Sequence, residues 1–194
     1  MKILVLGGNR FYGKALVELL HCSGHEITVL NRTGTSPVEC KVIKADRFDL
    51  PPLDNYECIV DFCLYKGQDA EASVPHLLEH TSRYIFISTM AAYSPPTKLP
   101  ITEDHPVGEW DIWGEYGSNK AKAETYIRSI SKAAIILRPA YILGPGHTYG
   151  RELTILDSIK NRTPILLTKS GNNPLSFVYL PDILKCTMHM VESY

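Results

Sequence analysis

A phenol and an ammonium stand one helical turn apart in Tyr116-Gly117-Ser118-Asn119-Lys120. Side chains four residues apart share a helix face. A phenol ordinarily titrates near pH ~10, and a neighbouring cation favours its charged form, so such a pair is suited to moving a proton near neutrality. Far upstream, Gly7-Gly8-Asn9-Arg10-Phe11-Tyr12-Gly13 follows an apolar run, Ile3 to Leu6, and opens a helical stretch. A glycine-rich turn between a strand and a helix offers backbone N–H groups and a helix N-terminus to a pyrophosphate. Gly7 suits the tight turn and Gly13 the close helix–strand approach. Arg10 stands where the usual pattern has its middle glycine, and a guanidinium there can itself pair with phosphate. Neither motif decides alone; together, in this order, they point to a nicotinamide-dependent enzyme.

Further residues fall where such an enzyme needs them. After the second apolar run, where a fold specific for NAD usually carries an acid for the ribose 2′-hydroxyl, the chain has Asn31 and Arg32. An acid would repel a 2′-phosphate and Arg32 would attract one, so NADP is favoured, with NAD as the other option. Asp46 is a candidate for the adenine amino group or, equally, a cap. Ser88 and Thr89 end an apolar run, which puts their hydroxyls toward the crevice of a doubly wound sheet. Asp61, Cys63 and Lys66 follow another run, where the cofactor ribose would pass. His76 and His80 have the i, i+4 spacing that can hold a metal, but no third ligand is evident in the sequence and no metal is expected.

The elements that must position these groups alternate along the chain. Strands are predicted at residues 2–6, 27–30, 41–44, 58–62, 84–88 and 134–137, with helices at 14–21, 68–80 and 118–131. Continuous apolar runs such as Ile3-Leu4-Val5-Leu6 imply strands buried on both faces, hence a parallel sheet covered by helices. The fold class predicted is α/β, a doubly wound parallel sheet of the Rossmann kind. Gly24 should stop the first helix. The stretch from Ser94 to Trp113, rich in proline and tryptophan, reads as a flap over the substrate. Beyond Gly146, a helix at 153–160, a strand at 165–168, a turn at 171–174, a strand at 175–179 and a helix at 182–191 are predicted. Residues 1–145 are expected to form the dinucleotide-binding domain, and 146–194 late elements of it plus the beginning of a substrate lobe, apparently truncated.

Composition narrows the classes. The 194 residues are 44% hydrophobic and 21% charged, ordinary for a globular protein, and the net charge of −1 offers no general attraction to nucleic acid or anionic membrane. No apolar run reaches the length of a membrane span, and the N-terminus lacks the layout of a signal peptide. Five scattered cysteines without a CxxC pair suit reduced thiols, so a cytoplasmic location is expected.

The pieces KILVLGGNRFYGKALV, IKADRFD, FISTMAAYSPP, EYGSNKAKAE, ILRPAYILGPG and LSFVYLPDILK, in that order, resemble the extended short-chain dehydrogenase/reductase superfamily, specifically its NAD-dependent epimerase/dehydratase branch. The resemblance implies Thr89 as catalytic hydroxyl, Tyr116 as general acid/base and Lys120 as its cofactor-bound partner. It implies Gly7, Asn9, Arg10, Phe11 and Gly13 at the pyrophosphate, Asn31 and Arg32 at the adenosine ribose, and Asp46 at the adenine. Phe62, Cys63 and Lys66 would line the nicotinamide side, and backbone from Pro139 to Ile142 would meet the carboxamide. His147 and Arg151 match positions that begin to contact substrate. The implied activity is hydride transfer on a sugar or nucleotide-sugar by an epimerase, dehydratase or reductase, with a homodimer as a possible assembly. Members of the branch run longer, with a C-terminal substrate lobe. A second reading is a catalytically weak relative, either an NADP-binding regulator or an RNA- or protein-binding protein, since the atypical glycine turn also resembles that of relatives that bind RNA stem-loops.

Overall fold

The computed structural model describes residues 1–147, 151–167, 171–172 and 174–193, with Arg151 described by its backbone alone. Six parallel strands form the main sheet: β1 (Lys2–Leu6), β2 (Glu26–Asn31), β3 (Lys41–Lys44), β4 (Cys58–Asp61), β5 (Tyr84–Ile87) and β6 (Ile135–Leu137). Their order is β3-β2-β1-β4-β5-β6. Strand order therefore reverses between β1 and β4, the topological switch of a doubly wound sheet, whose carboxyl-end crevice is where such folds take ligands.

Side chains alternate across the sheet with a period of two, and both faces are covered. Ile3 and Val5 of β1 join the core cluster under α1 (Phe11–Cys22) and α5 (Leu180–Glu192). Leu4 and Leu6 join the opposite cluster under α2 (Gly67–Glu79) and α3 (Gly114–Ile130). A strand buried on two faces has no polar positions to spare, which is why the run Ile3 to Leu6 is uninterrupted. α1 ends as its sequence indicates: Gly24 adopts φ 79° and donates its N–H to the His21 carbonyl at 3.0 Å. The last helix, α5, is tied into the main layer by Tyr12, whose hydroxyl bonds that of Thr187 in the core.

One local expectation is corrected. Residues 165–167 are irregular rather than extended, and Thr168 lies outside the described residues. β8 (Phe177–Tyr179) pairs in parallel with β7 (Tyr141–Leu143) in a separate two-stranded sheet. Strand propensity at 165–167 finds no ladder to join, and Leu166 is 97% exposed. The stretch after Tyr93 is a pinned excursion. Tyr93 bridges Val107, Ser94 N–H donates to the Pro106 carbonyl at 3.0 Å, and a 3₁₀ turn at Asp111–Trp113 feeds straight into α3. Among the described residues no helix is long and apolar enough to cross a membrane. All five cysteines are free thiols.

Candidate active site

The glycine turn is shaped by crowding as much as by conformation. Gly7 and Gly8 have φ 96° and 82°, backbone that glycine adopts without a Cβ penalty. A Cβ on Gly7 would stand 2.7 Å from Cys63 Sγ, and one on Gly13 would stand 3.0 Å from Gly8 Cα. Gly7 N–H donates to the Leu30 carbonyl at 2.9 Å. The ends of β1, β2 and β4 thus close around one turn at the switch point, with Phe62 and Cys63 against it. Phe11 has φ 40°, rare for a side chain of its size. Its ring packs on His147 with centroids 4.9 Å apart, and His147 Nδ1 bonds Glu152 at 2.9 Å. His147 is therefore brought to the glycine turn from the far side of the chain. Asn9, Arg10, Phe11 and Lys14 line a groove there with Pro145 and Gly146.

The residues after β2 are bound to that turn. Asn9 Nδ2 donates to the hydroxyls of Thr33 and Thr35 at 3.0 and 2.8 Å. The Asn31 side chain accepts from Gly34 N–H at 2.8 Å and donates to the Thr35 carbonyl at 2.8 Å. Asn31 thus spends its amide on shaping the loop that carries Arg32. The Arg32 guanidinium is exposed and near enough to the Cys63 thiol to act on it electrostatically. Asn9 Oδ1 is shielded from solvent and accepts no hydrogen bond among the described residues. Asp46 caps its own turn, accepting the Phe48 N–H at 3.1 Å.

Across the crevice, Tyr116 and Thr89 meet. The means is Gly117: α3 lies so close to the 3₁₀ turn at Met90–Ala92 that a Cβ on Gly117 would stand 2.3 Å from the Ala91 carbonyl oxygen. Thr89 caps that turn, its hydroxyl accepting the Ala91 N–H at 3.2 Å. Burial pushes the Tyr116 phenol above its ordinary pKa, and hydrogen bonding with Thr89 draws it back. Tyr116 is still 49% exposed, so its ring is reachable from the crevice.

Lys120 is positioned differently from a free ammonium beside a phenol. It is 2% exposed, and its Nζ donates to the carbonyls of Leu64 and Ile87, each at 2.8 Å. The ammonium also lies 4.4 Å from the Phe86 ring centroid. Burial pushes its pKa down to about 8, against the opposing pull of Asp61 and Glu124.

Those two carboxylates belong to a buried charge network that sequence reasoning missed. Arg47 donates to Asp61 at 2.9 Å and to Ser73 Oγ at 2.8 Å, and the Tyr84 hydroxyl donates to Asp61 at 2.7 Å. Burial acts to raise the Asp61 pKa, but Arg47 and the hydrogen bonds of Tyr84 and Cys63 N–H outweigh it, and the carboxyl is held below its usual range. On the other side Arg138 donates to Glu124 at 2.7 Å, and Glu124 also accepts from the Ser88 hydroxyl. Ser88 is consequently occupied, and of the Ser-Thr pair Thr89 alone meets Tyr116. Three cations face two carboxylates under the crevice, which leaves its floor net positive. Only the i, i+4 relation of Lys120 to Glu124 is written in the spacing of the sequence; Arg47, in the loop after β3, and Asp61, at the end of β4, meet through the tertiary fold.

The remaining predicted positions lie outside this cluster. Lys66 is the N-cap of α2 and accepts Asp69 as its capping partner, its N–H donating to Asp69 at 3.1 Å. It lines a groove between α2 and α3 that neither Tyr116 nor Lys120 borders. The Pro139 carbonyl accepts the Met90 N–H at 3.0 Å, and Ile142 pairs with Val178 inside the small sheet. Arg151 begins α4 (Arg151–Asn161), and its side chain lies outside the described residues.

The chain is similar to known proteins. The chain is 26% identical over 217 residues to chloroplast stem-loop binding protein of 41 kDa b from Arabidopsis thaliana, covering 98% of the chain and 55% of that protein. It is 27% identical over 169 residues to UDP-glucose 4-epimerase from Bacillus subtilis, covering 69% of the chain and 49% of the enzyme. The chain thus spans about half the length of these two relatives. Among solved structures, that of an NAD dependent-NDP-hexosamine 5,6-dehydratase, TunA, superposes with a TM-score of 0.83 at 19% identity, covering 98% of this chain and 72% of that one, which shows the shared fold. The family model of the NAD dependent epimerase/dehydratase family matches residues 70–194, more than half of the chain. With the doubly wound sheet, this chain belongs to the NAD dependent epimerase/dehydratase family.

Proposed function

We propose that the chain binds a nicotinamide dinucleotide and acts on a sugar or nucleotide-sugar by hydride transfer, as an epimerase, dehydratase or reductase. The observation that carries this reading is the meeting of Tyr116 and Thr89 at the mouth of a crevice whose other wall is a turn with no room for a Cβ at Gly7, Gly8 or Gly13. The dinucleotide fits that turn. Gly7, Gly8 and Gly13 keep side-chain bulk out of the turn so that a pyrophosphate can approach the start of α1, Arg10 and Lys14 add charge, and the unpartnered Asn9 Oδ1 is an acceptor that a ribose hydroxyl can satisfy. Cys63 and Phe62 line the turn on the nicotinamide side. Arg32 favours NADP; NAD is the alternative, and the superposed dehydratase is described as NAD dependent.

When bound, the nicotinamide supplies the hydride acceptor or donor. The protein's own part is proton movement and orientation. Tyr116 takes the proton from a substrate hydroxyl or returns it, and Thr89 holds that hydroxyl while hydrogen bonding the phenol. Lys120, buried between the Leu64 and Ile87 carbonyls, would hold the cofactor ribose, while burial and Thr89 set the phenol. By the family resemblance His147 and Arg151 would meet the substrate, with His147 reaching it from its place against Phe11 at the glycine turn. Leu153, Leu156 and Ile159 of α4 and Phe177 of β8 are each more than half exposed. A surface this apolar calls for cover, and we expect full turnover only where further polypeptide, from a longer chain or a partner, closes that side against water.

The deciding experiment pairs Gly13→Val with calorimetry. The parent should bind NADP and NAD, and the variant neither, because the added side chain must displace Gly8. Unchanged affinity in the variant refutes the site. The Arabidopsis relative is named a stem-loop binding protein, and binding of an RNA stem-loop is the second reading for this chain. RNA stem-loop retention with no dinucleotide affinity would favour it.

A further inference from the structure

The last turn of α2 carries a cluster that the crevice does not use. His76, Glu79 and His80 each offer one ligand atom, and the three atoms lie within 4.8 Å of one another. His76 Nδ1 is 3.6 Å from a Glu79 carboxylate oxygen, and the two imidazole rings stand edge to face with centroids 4.9 Å apart. Spacing alone would not make this a site. The second observation is His80 Nδ1, which is shielded from solvent and has no hydrogen-bond partner among the described residues. An imidazole nitrogen left in that state is a bare lone pair, or an unmet N–H, in a place where water cannot serve it. A metal ion held by His80 through Nδ1 would satisfy the lone pair. The position helps as well: His80 is the C-cap of α2, and the carbonyl end of a helix favours a cation.

We propose that His76, Glu79 and His80 bind a borderline first-row divalent cation, with Zn2+ as the representative ion and water completing its coordination. Two imidazoles and one carboxylate form an N2O set that suits Zn2+, Co2+, Ni2+ or Cu2+ and is poor for Mg2+ or Ca2+. At present the atoms are somewhat wide for a shared ion with metal–ligand bonds of about 2.0–2.2 Å. His76 and Glu79 can close in, because their side chains are 39% and 73% exposed and free to rotate. The site lies at the far end of the sheet from the crevice. The His80 carbonyl accepts the Tyr56 N–H at 2.8 Å, and Thr81 bridges Tyr56, just before β4 and β5 begin. A bound ion would fasten the end of α2 at that edge and leave the dinucleotide turn untouched.

The test is titration of Zn2+ into the purified chain by calorimetry, in a Cys22→Ser/Cys186→Ser background so that the exposed thiols contribute nothing. One ion per chain is expected. Binding should weaken by more than about tenfold in His76→Gln and in His80→Gln, and less in Glu79→Gln. His189→Ala, on α5, should bind as the parent does. Zn2+ should also raise the melting temperature of the parent and not that of His76→Gln, whose half-exposed side chain can be replaced without disturbing the core. NADP affinity should be the same in all of these proteins, so failure here and failure of the dinucleotide reading are told apart. Absence of Zn2+ binding by the parent, or equal binding by the His76→Gln/His80→Gln double variant, overturns the proposal.

Discussion

Gly117 rests directly on Ala91: a Cβ at residue 117 would lie 2.3 Å from the Ala91 carbonyl oxygen, and 2.9 Å from Trp113 Cβ. The contact is backbone against backbone, so neither side can rotate out of the way. This approach sets the distance between the helix that carries Tyr116 and the turn that carries Thr89. Gly117→Ala should therefore cost about 1–3 kcal/mol of stability through overpacking. It should also lower turnover at temperatures where the variant remains folded. Urea unfolding followed by activity at matched folded fraction checks both; a stable variant with full activity would show that the spacing is not critical.

Tyr116→Phe keeps the ring and removes the proton. It should retain dinucleotide affinity and lose turnover by about 10²–10⁴-fold. Thr89→Val should also lose turnover, and in addition it removes the hydroxyl that draws the phenol pKa down. The phenol of the Thr89 variant should then titrate higher than in the parent, which ultraviolet difference titration can read. An unshifted phenol would separate Thr89 from Tyr116.

Lys120 gives a pH signature. Its pKa is pushed down to about 8 by burial, whereas an unfolded lysine titrates near ~10.4. Below both values the ammonium is charged in both states and the folded state bears the full desolvation cost. Between them the unfolded chain binds more protons, so stability rises with pH across that window, and above it the two states are again equal. A shift of this size corresponds to a few kcal/mol, on the order of 1.4 kcal/mol per pH unit. Denaturant unfolding at pH 7.5 and 10 should show the rise in the parent, and Lys120→Met should lack that increment. An identical slope in both proteins would place the titration elsewhere.

Arg32 should separate the two cofactors. A charge-assisted contact to a 2′-phosphate contributes about 1.5–3 kcal/mol, roughly tenfold to more than a hundredfold in affinity. Arg32→Ala should lose that much for NADP and almost nothing for NAD, measured by calorimetry. Equal losses would mean that Arg32 acts on the loop held by Asn31 and not on the phosphate.

What the residues alone determined is local. The uninterrupted apolar run of β1, the glycine stop after α1 and the glycines of the turn at Gly7–Gly13 are written in adjacent residues, whereas Phe62 and Cys63, the side chains that crowd Gly7, arrive with β4. The parallel sheet followed from them, since strands without polar positions must be covered on both faces. The pairing of β8 was not local, and the run at 165–167 has strand character without a ladder to join. The partners of Lys120 were equally hidden, because the carbonyls of Leu64 and Ile87 belong to every residue type and leave no mark in a sequence. So was the charge network: Arg47, Asp61, Ser73 and Tyr84 meet only after β4 and β5 pair and α2 packs over them. Side-chain identity announces which groups can do chemistry; which of them are already spent on one another is decided by long-range packing, which buries a charge only where it also supplies the partners.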